Sequence, residues 1–475
     1  MHIAIIGGGI TGLSAAWEAQ QRGISYTLLE ASERWGGKVV SSEIKTDGGC
    51  FLVEGGPDTI VTRKPEAWDL THELGILDQV DDPGSETRGI YVLDNGSIRP
   101  IPLSPFKFIG SRLMTTRGKL RMMMEPFQPA RKDDADESLA DFVRRRLGEE
   151  ALNKFIGPVL GGIYNTDPNI QSIMVSSPVM REMEKESGSL VRAAIQRGMR
   201  AHKNLSKGAQ HKPRFITYKQ GLEGLTENIV RQLTGDLRLN ARVNFVRRMQ
   251  NKYQIHTSNT DVIETDAVIF ATLANVTAGL LEDISEEASE QLRRIHHNNI
   301  GTISLVYSES DMPKLDITGL MIPRREQRAI DAITFASKKM PQRSMPGYAI
   351  IRVFIGGGKP NVVEYDEAIL MSVVRRELSS LLGIEAAPKA YKIFRWQNGF
   401  PQAEVGHLEL IDEIESYLPA DVALAGSSYR GIAVPDCIRQ GRYAVQKILN
   451  TNPVYGAGGT THSKLGQMAQ QEVSV

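Results

Sequence analysis

The stretch HIAIIGGGITGLSAAWEAQQRGISYTLLE, residues 2–30, decides the fold. His2–Ile6 reads as a short buried strand, because isoleucine dominates a run that ends in glycine. Gly7, Gly9 and Gly12 fit the pattern G-x-G-x-x-G, and Leu13–Arg22 carries helix formers up to Gly23. Ser25–Leu29 is a second strand, with Glu30 at its end. Strand, glycine turn, helix, strand and acid stand in the register of a dinucleotide-binding unit. The first glycine permits the tight turn, the second a close backbone approach to a pyrophosphate, and the third close packing of helix on strand. The helix N-terminus offers free amides and a positive dipole end to the phosphates. Gly7, Gly8, Gly9, Ile10, Thr11 and Gly12 are therefore cofactor-binding candidates, and Glu30 can accept from ribose hydroxyls.

The next stretch, EASERWGGKVVS, narrows the dinucleotide. Gly36 and Gly37 allow a second close backbone approach, which an extended flavin dinucleotide needs as it crosses the domain. Glu30, Ala31, Arg34, Gly36, Gly37 and Lys38 look like the extended FAD signature of amine-oxidase-type flavoproteins. In FLVEGGPDTI, residues 51–60, Gly56, Pro57, Asp58 and Thr59 read either as backbone beside the ribityl chain or ring, or as an ordinary loop turn.

Composition bounds the remainder. The 475 residues suggest two or three compact units at roughly 150 residues each. A net charge of +0 gives no global pointer to nucleic acid. Two cysteines, Cys50 and Cys437, support neither a disulfide framework nor a cysteine-rich metal site, and a reducing, cytoplasmic compartment is the natural expectation. No apolar run is long enough for a membrane span, and the glycine cluster argues against a cleaved signal peptide.

The order of elements predicts an α/β protein, a Rossmann-like nucleotide-binding domain carrying an inserted sheet domain and a mostly helical insertion. Residues 1–85, 215–290 and 396–450 are expected to form the first, 291–395 the substrate-binding sheet, and 86–214 the largely helical part on the substrate or membrane side. Residues 451–475 read as a frayed tail. Val243 lies where such proteins hold adenine against backbone. Ile432, Ala433 and Val434 lead into a helix whose N-terminus would face the flavin's N1–C2=O edge, with Pro435 and Asp436 suited to the first turn. Ser138-Leu-Ala-Asp141 resembles a capping box, and a helix is expected to run on through Leu152. Residues 187–214 include Arg192, Arg197 and Arg200; they read as a solvated, flexible loop or as a contact with anionic lipid or a partner's acidic face.

Several stretches occur in this order: GGGITGLSAAW, EASERWGGKV, EGGPDTIVTRK, FVRRRLGEEAL, GGIYNTDP, the Gly221–Leu225 turn, FPQAEVGH and GSSYRGIAVPDCIRQG. Together they resemble the bacterial porphyrinogen oxidases of haem synthesis, from about residue 3 to residue 449. The resemblance implies non-covalent FAD and removal of six hydrogens from a porphyrinogen in three two-electron steps, with molecular oxygen reoxidising the flavin to give hydrogen peroxide. It implies no acid–base pair, since the flavin accepts the hydride, and it places Lys64, Arg88 and Tyr164 toward the substrate. Four propionates against two, and the many basic residues of the substrate half, favour coproporphyrinogen III over protoporphyrinogen IX. Asn165-Thr166, Ala403 and the stretch SSPVM depart from the family pattern, which touches substrate detail more than FAD. Another flavoenzyme of the superfamily, or a non-redox binding protein on the same fold, are the alternatives.

Overall fold

The computed structural model describes residues 1–83, 89–102, 105–164, 166–205, 213–343 and 345–451. Its first body is a five-stranded parallel sheet in the order Asp236–Arg238, Ser25–Leu29, His2–Ile6, Ala267–Phe270, Val422–Leu424. A parallel sheet must be covered on both faces, so its strands are apolar throughout rather than alternating. Ile3 and Ile5 pack under the helices Ile10–Gln21 and Val434–Thr451. Ala4 and Ile6 pack on the other face, under the three antiparallel strands Val243–Met249, Lys252–Thr257 and Val262–Thr265 and the helix Ala274–Leu281. The helices of the first face touch backbone to backbone: a Cβ on Gly441 would stand 2.2 Å from the Thr11 carbonyl oxygen.

The second body is a seven-stranded sheet in the order Ala390–Pro401, His297–Ser308, Tyr348–Ile355, Ala332–Phe335, Gly319–Met321, Ile90–Asp94, Ser97–Pro100. One face is sealed by the helix Glu367–Leu382 through Leu370, Val374 and Leu378. The sheet extends beyond residues 291–395 at both ends. Its last two strands form a hairpin within residues 86–214, the part expected to be largely helical, closed by Asn95 and Gly96, both at positive φ, as a tight two-residue turn requires.

The third body is helical. Ser138 accepts from the Asp141 amide at 3.0 Å and caps Leu139–Arg146. That helix does not reach Leu152 unbroken, because Gly148 takes a φ of +95° and the chain restarts at Glu149. Residues Leu190–Leu205 form a helix, which corrects the loop reading of this basic stretch. The cause lies far away in sequence: the Glu125 carboxylate accepts from the amides of Leu190 at 2.9 Å and Val191 at 3.2 Å and so caps the helix start. Glu125 also pairs with Arg146, and both are fully buried. Among the described residues no helix is long and apolar enough to cross a membrane. The tail expected from residue 451 lies, after Thr451, outside the described residues.

Candidate functional site

Four glycines of the opening turn meet different neighbours. A Cβ on Gly12 would stand 1.9 Å from the Gly7 carbonyl oxygen, and one on Gly8 2.5 Å from the Trp35 ring. Gly7 has a φ of +111° and sits against the Ala271 carbonyl. These three are required by the protein itself. Gly9 is different. Its φ is −72°, open to any residue, and the nearest atom to an added Cβ is Gly37 Cα at 4.0 Å. The bare backbone there faces a slot, and no side chain caps the helix Ile10–Gln21 that starts beside it. Its first amides, at Ile10 and Thr11, are thus offered to a ligand.

The second glycine cluster closes on the first. Gly36 donates to the Gly8 carbonyl at 2.8 Å and pairs with Gly9 as an isolated parallel bridge. Arg34 donates to the Gly37 carbonyl and lies 3.9 Å from Glu223. Glu30 accepts from the Gly8 amide at 2.7 Å and the Ser32 amide at 2.8 Å, with Ala31 exposed beside it. Lys38 keeps some surface open to the crevice, yet protein crowds its ammonium, and burial lowers it to about 8. Its nearest polar partner is the Ser427 hydroxyl, at 3.5 Å, and among the described residues no carboxylate pairs with it. An open slot at Gly9, uncapped amides and a crowded cation without a counter-ion all fit an anionic dinucleotide.

The Gly55–Thr59 loop is clamped onto the large sheet. Gly55 O accepts from Thr302 Oγ1 at 3.1 Å and from Trp396 Nε1 at 3.0 Å, and Gly56 O accepts from Arg352 at 2.5 Å. Burial disfavours the Asp58 charge, but Lys339 at 2.7 Å and Arg352 at 3.9 Å override it and hold the carboxyl at about 2. Thr59 donates to the same carboxylate at 3.1 Å. The side chains of Asp58 and Thr59 therefore tie this loop to the large sheet, and backbone around Pro57 is what remains for a ligand. Val243 opens its strand opposite Thr257, half-buried against the second core.

Ile432 and Ala433 lead into the last helix, which begins at Val434. Sequence position directs Lys64 toward a substrate carboxylate; in the structure its Nζ lies 2.6 Å from both oxygens of Asp436, in the first turn of that helix. The charge is already neutralised there. Arg88 lies outside the described residues, as does the Tyr164 side chain, although the helix Gly157–Tyr164 is described. His297 was not signalled by any motif. Its Nδ1 lies 2.9 Å from the Ile295 carbonyl and its Nε2 3.1 Å from Ser428 Oγ, and burial, reinforced by Lys38, lowers it to about 4. It is a neutral ring at neutral pH.

A cavity of about 280 Å³ lies between the helical body and the large sheet. Leu152, Pro158, Ile300, Ile322, Phe354 and Ile355 supply apolar walls; Arg144, Arg324, Arg325, Asp167 and Asp331 supply charge. Ile300 shares a strand with His297, so the cavity and the nucleotide crevice are neighbours. An apolar chamber with cations suits a large apolar molecule bearing carboxylates.

The profile of the flavin containing amine oxidoreductase family matches residues 10–449, and the chain belongs to that family; its cofactor is a flavin. The chain is 31% identical to the coproporphyrinogen III oxidase of Bacillus subtilis (strain 168), over 94% of this chain and 98% of that one. It is 26% identical to the protoporphyrinogen oxidase 2 of Arabidopsis thaliana, over 94% of each. A crystal structure from Exiguobacterium sp. 255-15, provisionally named a protoporphyrinogen oxidase, superposes with a TM-score of 0.81 at 27% identity, over 94% of this chain and 98% of that one.

Proposed function

We propose that the chain binds FAD non-covalently and oxidises a porphyrinogen, coproporphyrinogen III ahead of protoporphyrinogen IX, with molecular oxygen as final acceptor. One observation carries this reading. Bacterial relatives matched end to end at 30–31% identity are named coproporphyrinogen III oxidases, while the plant protoporphyrinogen oxidases stand at 25–26%.

The chain's own residues have defined tasks in this reading. The amides of Ile10 and Thr11 and the bare backbone of Gly9 hold the pyrophosphate. Glu30 accepts from a ribose. Lys38 lends a positive charge beside the loop of Ser427. The bound flavin supplies a two-electron acceptor. Burial pushes the Cys437 thiol up to about 11, which keeps it protonated and a poor nucleophile, in keeping with a non-covalent cofactor. The apolar walls of the cavity orient the tetrapyrrole and exclude water, and arginine meets its carboxylates. Residues 1–85, 215–290 and 396–450 would carry the cofactor, and 291–395 the substrate, with 86–214 as its cover.

The helical body also supports a peripheral contact for a cytoplasmic protein. Leu120, Met123 and Phe127 are exposed on one stretch, and Val191, Ile195 and Met199 form an exposed stripe at four-residue spacing on Leu190–Leu205. Arg117, Arg192 and Arg200 stand exposed among them. Apolar side chains flanked by cations suit an anionic lipid surface. Sedimentation with vesicles containing anionic lipid, reversed by salt, is the expected result; no binding would remove the contact.

Acid-released cofactor should chromatograph as FAD, and aerobic incubation with coproporphyrinogen III should yield porphyrin fluorescence. Cofactor that stays with the precipitated protein, or an enzyme inert toward both porphyrinogens, would overturn the proposal.

A further inference from the structure

The cavity between the helical body and the large sheet is lined by three arginines, and their situations differ. Arg144 is engaged by Glu149 at 2.7 Å, Asn169 at 2.9 Å and Asp141 at 3.2 Å. Arg325 is engaged by Asp94 at 2.8 Å and by the Asn153 carbonyl at 2.5 Å. The guanidinium of Arg324 makes no hydrogen bond or ion pair among the described residues, although it stands exposed on the cavity wall. Asp331 in the lining senses its charge but forms no ion pair or hydrogen bond with it. Both Asp331 oxygens accept backbone amides, from Gly357 at 2.7 Å and Gly358 at 2.6 Å.

Local structure explains why the arginine is presented this way. Pro323 takes an extended conformation and the chain then makes a single tight turn, Arg324–Glu326. Glu326 is drawn back onto the Asn95 amide at 2.7 Å, on the hairpin at the sheet's far edge. Arg325 follows it toward Asp94. Of the arginines lining the chamber, Arg324 is the one left with no hydrogen bond or ion pair among the described residues. A guanidinium offers a rigid fork of donors whose best partner is a carboxylate held through two parallel hydrogen bonds. The wall around it is apolar, through Ile322, Phe354 and Pro158. The matching ligand is a bulky apolar body with a carboxylate at its rim.

We propose that Arg324 binds a carboxylate of the substrate at the mouth of this cavity; the inference rests on the porphyrinogen reading and adds the residue that recognises the propionate. Arg324 would act in binding and orientation rather than in electron transfer.

The test is a titration of intact flavin-loaded enzyme with coproporphyrin III and with its tetramethyl ester, followed by porphyrin fluorescence. Three variants are compared with the wild type: Arg324→Leu, Arg324→Gln and Arg324→Lys. The leucine and glutamine variants should weaken coproporphyrin III binding about tenfold or more, with lysine between them and wild type. The ester should bind all four proteins alike. In turnover, KM for coproporphyrinogen III should rise by a similar factor while kcat stays within about twofold, with flavin content and melting temperature unchanged. If the wild type binds coproporphyrin III and the leucine variant binds it equally well, the role of Arg324 is refuted while the porphyrinogen reading stands. If the wild type binds neither porphyrin and turns over neither porphyrinogen, both fall.

Discussion

In the proposed mode of FAD binding, Gly9 separates folding from cofactor binding. An added Cβ meets no protein atom nearer than 4.0 Å, and the backbone at φ −72° and ψ 178° is one that valine adopts readily. Gly9→Val should therefore leave the apoprotein's stability within about 0.5 kcal/mol, or raise it slightly by restricting the unfolded chain. The new methyls would occupy the slot proposed to take the pyrophosphate. Losing one or two charge-assisted amide contacts at about 1.5–3 kcal/mol each predicts FAD binding weakened by at least about tenfold. Gly12→Ala is the contrasting control, because its methyl would land 1.9 Å from the Gly7 carbonyl oxygen, which is backbone and cannot yield cheaply. That variant should fold poorly with or without FAD. The assay is the ratio of visible flavin to protein absorbance after purification, with melting curves in the presence and absence of added FAD. Wild-type FAD affinity in Gly9→Val would refute the reasoning. So would a Gly9→Val apoprotein as unstable as Gly12→Ala, since the glycine would then serve the fold rather than a ligand.

Lys64→Met removes the close partner of an Asp436 that is 5% exposed, leaving Arg439 at 3.1 Å, itself half-exposed, as partial compensation. Loss of about 2–3 kcal/mol by denaturant unfolding is expected, with Lys64→Met/Asp436→Asn recovering most of it. A single variant of unchanged stability but raised KM would return Lys64 to the substrate. His297 supplies a pH dependence. Its folded-state value of about 4 lies below the ordinary 6.5, so the unfolded chain binds the extra proton, and stability falls as pH drops from about 6.5 toward 4. By pH 5 the loss is about 1 kcal/mol, roughly half the full linkage value because the ring keeps some solvent contact. His297→Gln should flatten that part of the stability–pH curve; an unchanged slope would refute the assignment.

The nucleotide-binding unit was legible because its determinants are contiguous. Glycine spacing, helix formers and the acid at Glu30 all lie within one βαβ unit, and the parallel sheet follows from it. The helical body was not legible for the opposite reason. The helix at Leu190 is started by Glu125, 65 positions away, and the charged run of Arg144, Arg145 and Arg146 hides one arginine with no exposed surface. No local pattern distinguishes that arginine from its two partly exposed neighbours. Lys64 teaches the same lesson about sites: its residue type and place in the motif suit a substrate carboxylate, but Asp436, 372 positions on, already holds it. Conversely, Arg324 sits in the unremarked run IPRREQR, and only the turn that sends Arg325 and Glu326 the other way singles it out.

A flavin held by the glycine crevice is proposed to oxidise coproporphyrinogen III. The measurement that tests it most directly is the rate of porphyrin fluorescence gained by purified, flavin-loaded enzyme given coproporphyrinogen III or protoporphyrinogen IX, in air and under anaerobic conditions. Faster aerobic turnover of coproporphyrinogen III is expected, with hydrogen peroxide formed, and flavin bleaching without sustained turnover when oxygen is removed. Equal rates on the two substrates would contradict the substrate preference, and no turnover of either would contradict the account itself.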